Sequence, residues 1–285
     1  MSYIDEAFEK LKANLEITDA ESALAQSRHQ LIREHIESSW QLLEHFLTGS
    51  YGRHTKTKKL KDVDIFAVID PEGPQGYLAK GTGAAALSAL KAVLATQWTD
   101  LETDDNVVTV NYAGEDVASY EIAPAFPRQG GGYRIPNGAG WMDTDPSKHA
   151  TLVTAKNKKC GEQFVPFVKM VKGINREANE PVEPPFLLEV MGLGLVLEPF
   201  GRYQDEIRFF LASAADRVTD DWPDPAGVGP DINADTPLAR RNEVANVIRG
   251  WQSVAEEALL LENDGKERAA VEKWRELFGW RMPRP

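Results

Sequence analysis

The sequence predicts an α+β fold, with a mixed β-sheet and helices in its first half and helices alone in its second. Three observations carry this. Short apolar runs at 63–69, 107–112 and 117–122 alternate with helical patterns across the first 150 residues. Every periodic segment beyond residue 150 has helical spacing. A glycine- and proline-rich stretch, 127–149, separates the two regimes. Runs of strands followed by runs of helices are the pattern of an α+β chain. The expected organisation is a sheet-bearing domain over 1–150, with a long N-terminal helix, and a helical lobe over 151–285.

The elements follow in chain order. Thr18, Asp19, Ala20 and Glu21 read as a capping box that opens a helix. Leu24, Leu31, Ile36 and Leu43 are spaced to carry that helix through about Trp40. Residues 42–48 lead into a Gly49-Ser50 turn. The run 63–69 is nearly continuous in apolar residues and reads as a buried strand. The alanine- and leucine-rich stretch 83–97 reads as a helix. Residues 107–112 and 117–122 flank Ala113-Gly114-Glu115-Asp116, the pattern of a β-hairpin. Stretch 127–149 holds five glycines and three prolines and shows no periodicity, so it reads as a long functional loop able to close over a site. Helices are expected at 164–176, 186–197, 204–218, 237–263 and 266–278.

Composition narrows the function classes. At 285 residues, 42% hydrophobic and 27% charged, the chain has the make-up of an ordinary globular protein with a sizeable core. No apolar run approaches the roughly 18 residues a bilayer span needs. The N-terminal MSYIDEAFEKLK lacks the apolar region of a signal peptide. A single cysteine, Cys160, excludes an intrachain disulfide framework and fits the cytoplasm. The five histidines are scattered and offer no zinc-finger spacing. The net charge of −12 opposes docking of duplex nucleic acid. Against that acidic background stands one basic run, with Arg53, Lys56, Lys58, Lys59 and Lys61, suited to a small anionic ligand.

Immediately after that run come Asp62 and Asp64 at the mouth of a strand. Side chains alternate across a strand, so both carboxylates point to one face, roughly 6–7 Å apart. Carboxylates held together repel unless a cation lies between them, and a hard, oxygen-seeking Mg²⁺ is the natural one. Glu121, on the second strand of the hairpin, can supply a third carboxylate. Such a trio suits two divalent ions that stabilise the attacking and leaving oxygens of a displacement at phosphorus. Gly49 lets backbone approach a phosphate closely, and Ser50 adds a hydroxyl to the amide donors of the turn. A lone Gly-Ser is ordinarily a turn and a lone Asp-x-Asp a solvated strand end. What distinguishes this chain is their order: Gly-Ser, eleven residues, Asp-x-Asp on a strand, then an acid on a later strand.

This constellation resembles the polymerase-β-like nucleotidyltransferase superfamily. More narrowly, the chain is similar to the bacterial cGAS/DncV-like nucleotidyltransferases, the CD-NTases of anti-phage (CBASS-type) signalling. The likeness runs over most of the chain: GSYGRHT with DVDI, YEIAPAF, WMDTDPSKH, FVKMVKGINR, PPFLLEVM and the terminal AVEKWRELFGWRMP. The resemblance implies a polymerase-β-like core with a helical C-terminal lobe and nucleotides bound between them. It implies Asp62, Asp64 and Glu121 as catalytic metal ligands for two Mg²⁺ ions, with Mn²⁺ as an alternative. Gly49, Ser50 and Arg53 would bind the donor nucleotide, Lys172 its triphosphate, and Phe186 a nucleobase. Two positions depart from the pattern: the third acid is Glu where Asp is commoner, and Pro185 stands where many relatives have serine.

The implied activity joins NTPs into a cyclic di- or trinucleotide with release of pyrophosphate, in a cytoplasmic monomer with a regulatory protein partner encoded nearby. Two other readings stay open from the residues alone. One is a superfamily enzyme acting on an RNA, protein or small-molecule acceptor. The other is a nucleotide-binding regulator without turnover.

Overall fold

In the computed structural model, which describes residues 2–115 and 117–285, the chain divides into two compact units. One holds residues 17–150 and 226–230 and carries the sheet. The other holds 1–16, 151–225 and 231–285 and is helical. Asp116, part of the expected hairpin turn, lies outside the described residues.

The chain opens with α1 (Tyr3–Leu15), which the sequence pattern did not lead us to expect. Ser2 caps it by accepting from the Asp5 amide, and the Asp5 carboxylate accepts from the Ser2 amide. The capping box at Thr18 opens α2 (Asp19–Glu37), which stops three residues before Trp40. The Trp40 ring is buried all the same. The Glu21 carboxylate closes that box and also accepts from the amide of Leu60 at 2.9 Å. Burial alone would raise its pKa, but the amide donors of Thr18 and Leu60 hold it below the usual value.

Residues 42–48, expected only to lead into a turn, contain an edge strand, β1 (Leu42–Leu47). The short helix α3 (Gly49–Gly52) follows, then β2 (Asp62–Ile69), as expected. After α4 (Gly83–Leu94) come β3 (Leu101–Thr103), β4 (Val108–Asn111) and β5 (Ser119–Pro127). The strand order is β1-β2-β5-β4-β3, with β2 and β5 parallel and the other pairs antiparallel. Along β2, Val63, Ile65, Ala67 and Ile69 share a core with Ile32 and Ile36 of α2 and Leu87, Leu90 and Leu94 of α4. The alternate residues Phe66 and Val68 pack on the opposite face with Ala123 and Ala125 of β5. Period-2 alternation therefore puts Asp62, Asp64 and Glu121 on the face away from those helices.

The stretch 127–149 corrects the expectation of a structureless closing loop. It forms an antiparallel hairpin, β6 (Tyr133–Asn137) and β7 (Gly140–Thr144), joined to the end of β5 through Phe126↔Arg134. Its glycines make the turns: Gly130, Gly131, Gly132 and Gly138 all have positive φ, between 58° and 99°. Aromatic packing fixes the strands, with Trp141 against Phe126 at 5.6 Å and Tyr133 against Phe66 at 5.7 Å.

The helix α5 (Pro146–Lys159) crosses from one unit's residues into the other's. The helical unit continues with α6 (Phe164–Glu177), α7 (Phe186–Leu195), α8 (Tyr203–Arg217), α9 (Leu238–Asn263) and α10 (Glu267–Phe278), at the expected places within a few residues. The expected boundary after residue 150 needs one large correction: residues 1–16 pack with the helices. Phe8 of α1 meets Trp274 edge-on at 5.3 Å and Phe278 at 6.2 Å, and all three rings are fully buried. No helix among the described residues is long and apolar enough to cross a membrane.

Because Phe8 is wholly buried between those rings, Phe8→Ala should destabilise the helical unit by about 3–5 kcal/mol. Chemical denaturation followed by the fluorescence of the unit's tryptophans measures this. Unchanged stability would mean that α1 is not part of that core.

Candidate active site

The parallel register of β2 and β5 assembles the acidic group. Asp62 pairs with Ser119, and Asp64 pairs directly with Glu121. Neighbouring strands lie roughly 4.8 Å apart, so the Asp64 and Glu121 side chains leave one face of the sheet as adjacent neighbours. The electrostatics record this. Burial, and then the charges of Asp64 and Asp62, push the Glu121 carboxyl up from 4.5 to about 7, while Lys56 pulls the other way. The Lys56 ammonium donates to Asp62 Oδ1 at 2.5 Å, with only 13% of its side chain exposed.

The loop ahead of β2 closes over this group. The Thr48 amide donates to the Asp64 carbonyl at 2.8 Å, pinning the end of β1 to the start of β2. The chain then turns through α3, with Gly52 N donating to Thr48 O and Thr55 N to Ser50 O, both at 2.9 Å. Gly49 is required here for two reasons. Its φ is +57°, and a Cβ on it would lie 1.7 Å from Asp64 Oδ2. The close approach that glycine permits is therefore to the Asp64 carboxylate itself. Ser50 stands next, half-buried, and Arg53 is buried.

Of the residues singled out in the sequence, Asp62, Asp64, Glu121, Gly49, Ser50 and Arg53 all belong to the sheet unit. Lys172 and Phe186 belong to the helical unit. Lys172, on α6, donates to Glu189 Oε1 at 2.8 Å. Phe186 begins α7 and is partly buried against the helical core. Two partners escape a reading of the sequence. Lys56 is there only one member of a basic run, and Glu189 stands within a motif without a role of its own.

Three carboxylates on one sheet face are a donor set for a hard divalent cation, and the raised Glu121 shows the repulsion that such a cation would relieve. The side chains are not closed around one point. Among the described residues, no group of three or more His, Cys, Asp or Glu side chains is arranged to hold a metal ion as it stands. Lys56 supplies the countercharge at Asp62.

Residues 1–157 match the model of the Second Messenger Oligonucleotide or Dinucleotide Synthetase (SMODS) domain. The chain belongs to this family. Among proteins similar to it, a probable cyclic nucleotide synthase of Bacillus cereus (strain VD146) is 22% identical over 270 residues, covering 82% of this chain and 81% of the relative. The CD-NTase CdnG of Bradyrhizobium diazoefficiens, solved with GTP, superposes with a TM-score of 0.79 at 16% identity, covering 99% of this chain and 97% of that one. CdnC of E. coli MS115-1, solved with ATP, gives 0.74 at 12% identity, covering 98% of each chain. CdnC has also been solved in complex with HORMA-deltaN. These likenesses bear out the α+β nucleotidyltransferase fold read from the SMODS sequence.

In this SMODS chain, Gly49→Ala should both strain the backbone and drive a methyl into Asp64, costing roughly 1–3 kcal/mol. Gly114, at φ +83° and with nothing within 4 Å of where a methyl would sit, is the control for backbone strain alone. Denaturation midpoints of Gly49→Ala and Gly114→Ala compare the two, and equal losses would remove the special role of Gly49.

Glu121 gives a pH prediction. Its folded pKa lies above its ordinary value, so protonated Glu121 contributes stability fully below about pH 4.5. That contribution is lost as pH rises through about 7. In EDTA, the melting temperature of wild type should therefore fall relative to Glu121→Gln between pH 5 and pH 8, leaving Gln the more stable at the upper end. Parallel melting curves of the two proteins across that range would contradict the assignment.

Proposed function

We propose that this SMODS chain joins ribonucleoside triphosphates into a cyclic di- or trinucleotide, releasing pyrophosphate at each bond formed. The observation that carries the reading is Asp64 beside Glu121 on parallel strands, with Asp62 on the same face and Gly49 packed against Asp64. The SMODS match and the B. cereus relative support a cyclic nucleotide as product. The GTP and ATP bound to CdnG and CdnC support NTPs as substrates. The net charge of −12 favours a nucleotide acceptor over a nucleic acid. Similarity to CD-NTases supports a role in anti-phage signalling, and the CdnC–HORMA complex supports a regulatory protein partner.

In this reaction a ribose hydroxyl oxygen of one nucleotide attacks the α-phosphorus of an NTP. The bond from that phosphorus to the bridging oxygen breaks, and pyrophosphate leaves with the electron pair. Glu121, as an ionised carboxylate on the same sheet face as Asp62 and Asp64, is suited to accept the hydroxyl proton. Ser50 and the amides of α3 bind donor phosphates, Lys172 adds positive charge at the triphosphate, and Phe186 offers a ring to a base. Asp62, Asp64 and Glu121 would hold two Mg²⁺ ions, or Mn²⁺, whose contribution when bound is to stabilise the attacking and leaving oxygens.

The test incubates the protein with the four labelled NTPs, singly and mixed, with and without added RNA or DNA, and resolves products by mass spectrometry. Phosphatase-resistant species of two or three nucleotides should form whether or not polymer is present. Asp62→Asn and Asp64→Asn should each lower the rate more than about a thousandfold while remaining folded. Label found only on added nucleic acid or protein, or full activity in either variant or in EDTA, would defeat the proposal.

A further inference from the structure

The helical unit contains an ion pair whose carboxylate is wholly withdrawn from water. Glu189 of α7 is completely buried, with 0% of its side chain exposed, whereas Lys172 of α6 keeps 13%. Their separation is 2.8 Å. A carboxylate withdrawn wholly from water is costly unless a cation stays with it. Moving Lys172 away toward a ligand would therefore cost this buried carboxylate an ion-pair partner. The ammonium is held where it is, at the edge of the core, by a group that water cannot reach.

A second feature joins this pair to the nucleotide. Phe186 stands three residues before Glu189 on α7, so the two lie on one side of that helix. One short helix thus carries both the ring assigned to a nucleobase and the carboxylate that fixes the lysine assigned to the triphosphate. A lysine side chain has rotamer entropy to lose when it docks on a phosphate. Tethering it beforehand removes much of that loss, which is how preorganised sites gain affinity.

We infer that Glu189 is a positioning residue for nucleotide binding: it holds the Lys172 ammonium as an anchored point charge for the triphosphate of the NTP. This rests on the function proposed above. An ammonium has three N–H donors, so a bond to Glu189 is compatible with a simultaneous bond to phosphate. The alternative is that the pair only stabilises the packing of α6 on α7, in which case nucleotide affinity should not follow its geometry.

Two variants separate these. Glu189→Gln keeps shape and one hydrogen-bond acceptor but removes the charge that anchors the ammonium. Glu189→Asp keeps the charge, so the core retains a paired carboxylate, but draws the ammonium back by one methylene. The probes are the α,β-methylene analogues of the four NTPs, measured by equilibrium binding to the full-length protein, with KM and kcat for cyclisation measured alongside. Both variants should weaken analogue binding by roughly 10- to 100-fold, the effect of one charge-assisted hydrogen bond. KM should rise with kcat little changed. Lys172→Met should lose as much, and combining it with Glu189→Gln should lose no more, since the two act as one device. If Glu189→Asp, folded, binds the analogues as tightly as wild type, the inference is overturned, and this holds even where Glu189→Gln fails to fold. If both Glu189 variants and Lys172→Met bind as wild type does, Lys172 is not a triphosphate ligand and the inference falls. A wild type that binds none of the analogues and yields no cyclic product would instead defeat the proposed function.

Discussion

Asp64 and Glu121 are neighbours because β2 and β5 run parallel, and two carboxylates on neighbouring strands repel one another. Much of the sheet unit answers to that constraint. Burial and repulsion together keep Glu121 poised near neutrality, and Lys56 compensates at Asp62. Gly49 must be glycine so that the preceding turn can lie against the Asp64 carboxylate at all. A sheet that paired β2 with β4 instead would give Asp64 a different neighbour and abolish the acidic group without changing a residue. The chemistry of the site is thus a property of strand order as much as of side chains.

That arrangement is held from a distance by a helix cap. Glu21 closes the start of α2, and the same carboxylate accepts the amide of Leu60, two residues before β2 begins. One end of the basic run is therefore anchored to a helix start, and the other end leaves α3, which is itself pinned to β2 through Thr48 and Asp64. Between these anchors Lys56 is delivered to Asp62. A capping interaction, usually a matter of about 1 kcal/mol of local stability, here also sets the approach of a charged loop to the acids.

How much of this could be read from the residues depends on how local each signal is. The Thr18 cap, β2, the strands β4 and β5 and the five helices beyond residue 160 declare themselves within a few turns of sequence, and they stand where periodicity put them. The acids were legible as a pattern, and so was the glycine, although its close contact proved to be with Asp64. What stayed hidden depends on partners far along the chain. Nothing in 42–47 marks an edge strand until β2 is beside it. The hairpin β6–β7 lay concealed among glycines that read as a long loop and are turn residues, its strands fixed by Phe126 and Phe66. Helix α1 belongs with Trp274 and Phe278, more than 250 residues away. Glu189 is a buried carboxylate whose ion-pair partner Lys172 lies 17 residues earlier on another helix.

The division of the chain has a practical consequence. The helical unit takes its first segment from before the sheet unit and two more from after it, and residues 226–230 return to the sheet unit in between. Neither unit is a continuous piece of polypeptide. Cutting the chain after residue 150 would give one fragment with an orphaned N-terminal helix and another lacking Phe8 from its core. The second fragment would also carry five residues that belong elsewhere. Gene fusions, split-protein reporters and fragment complementation should therefore leave this junction intact. Insertions are better aimed at exposed turns within a unit, such as Gly114, where the backbone has open space around it.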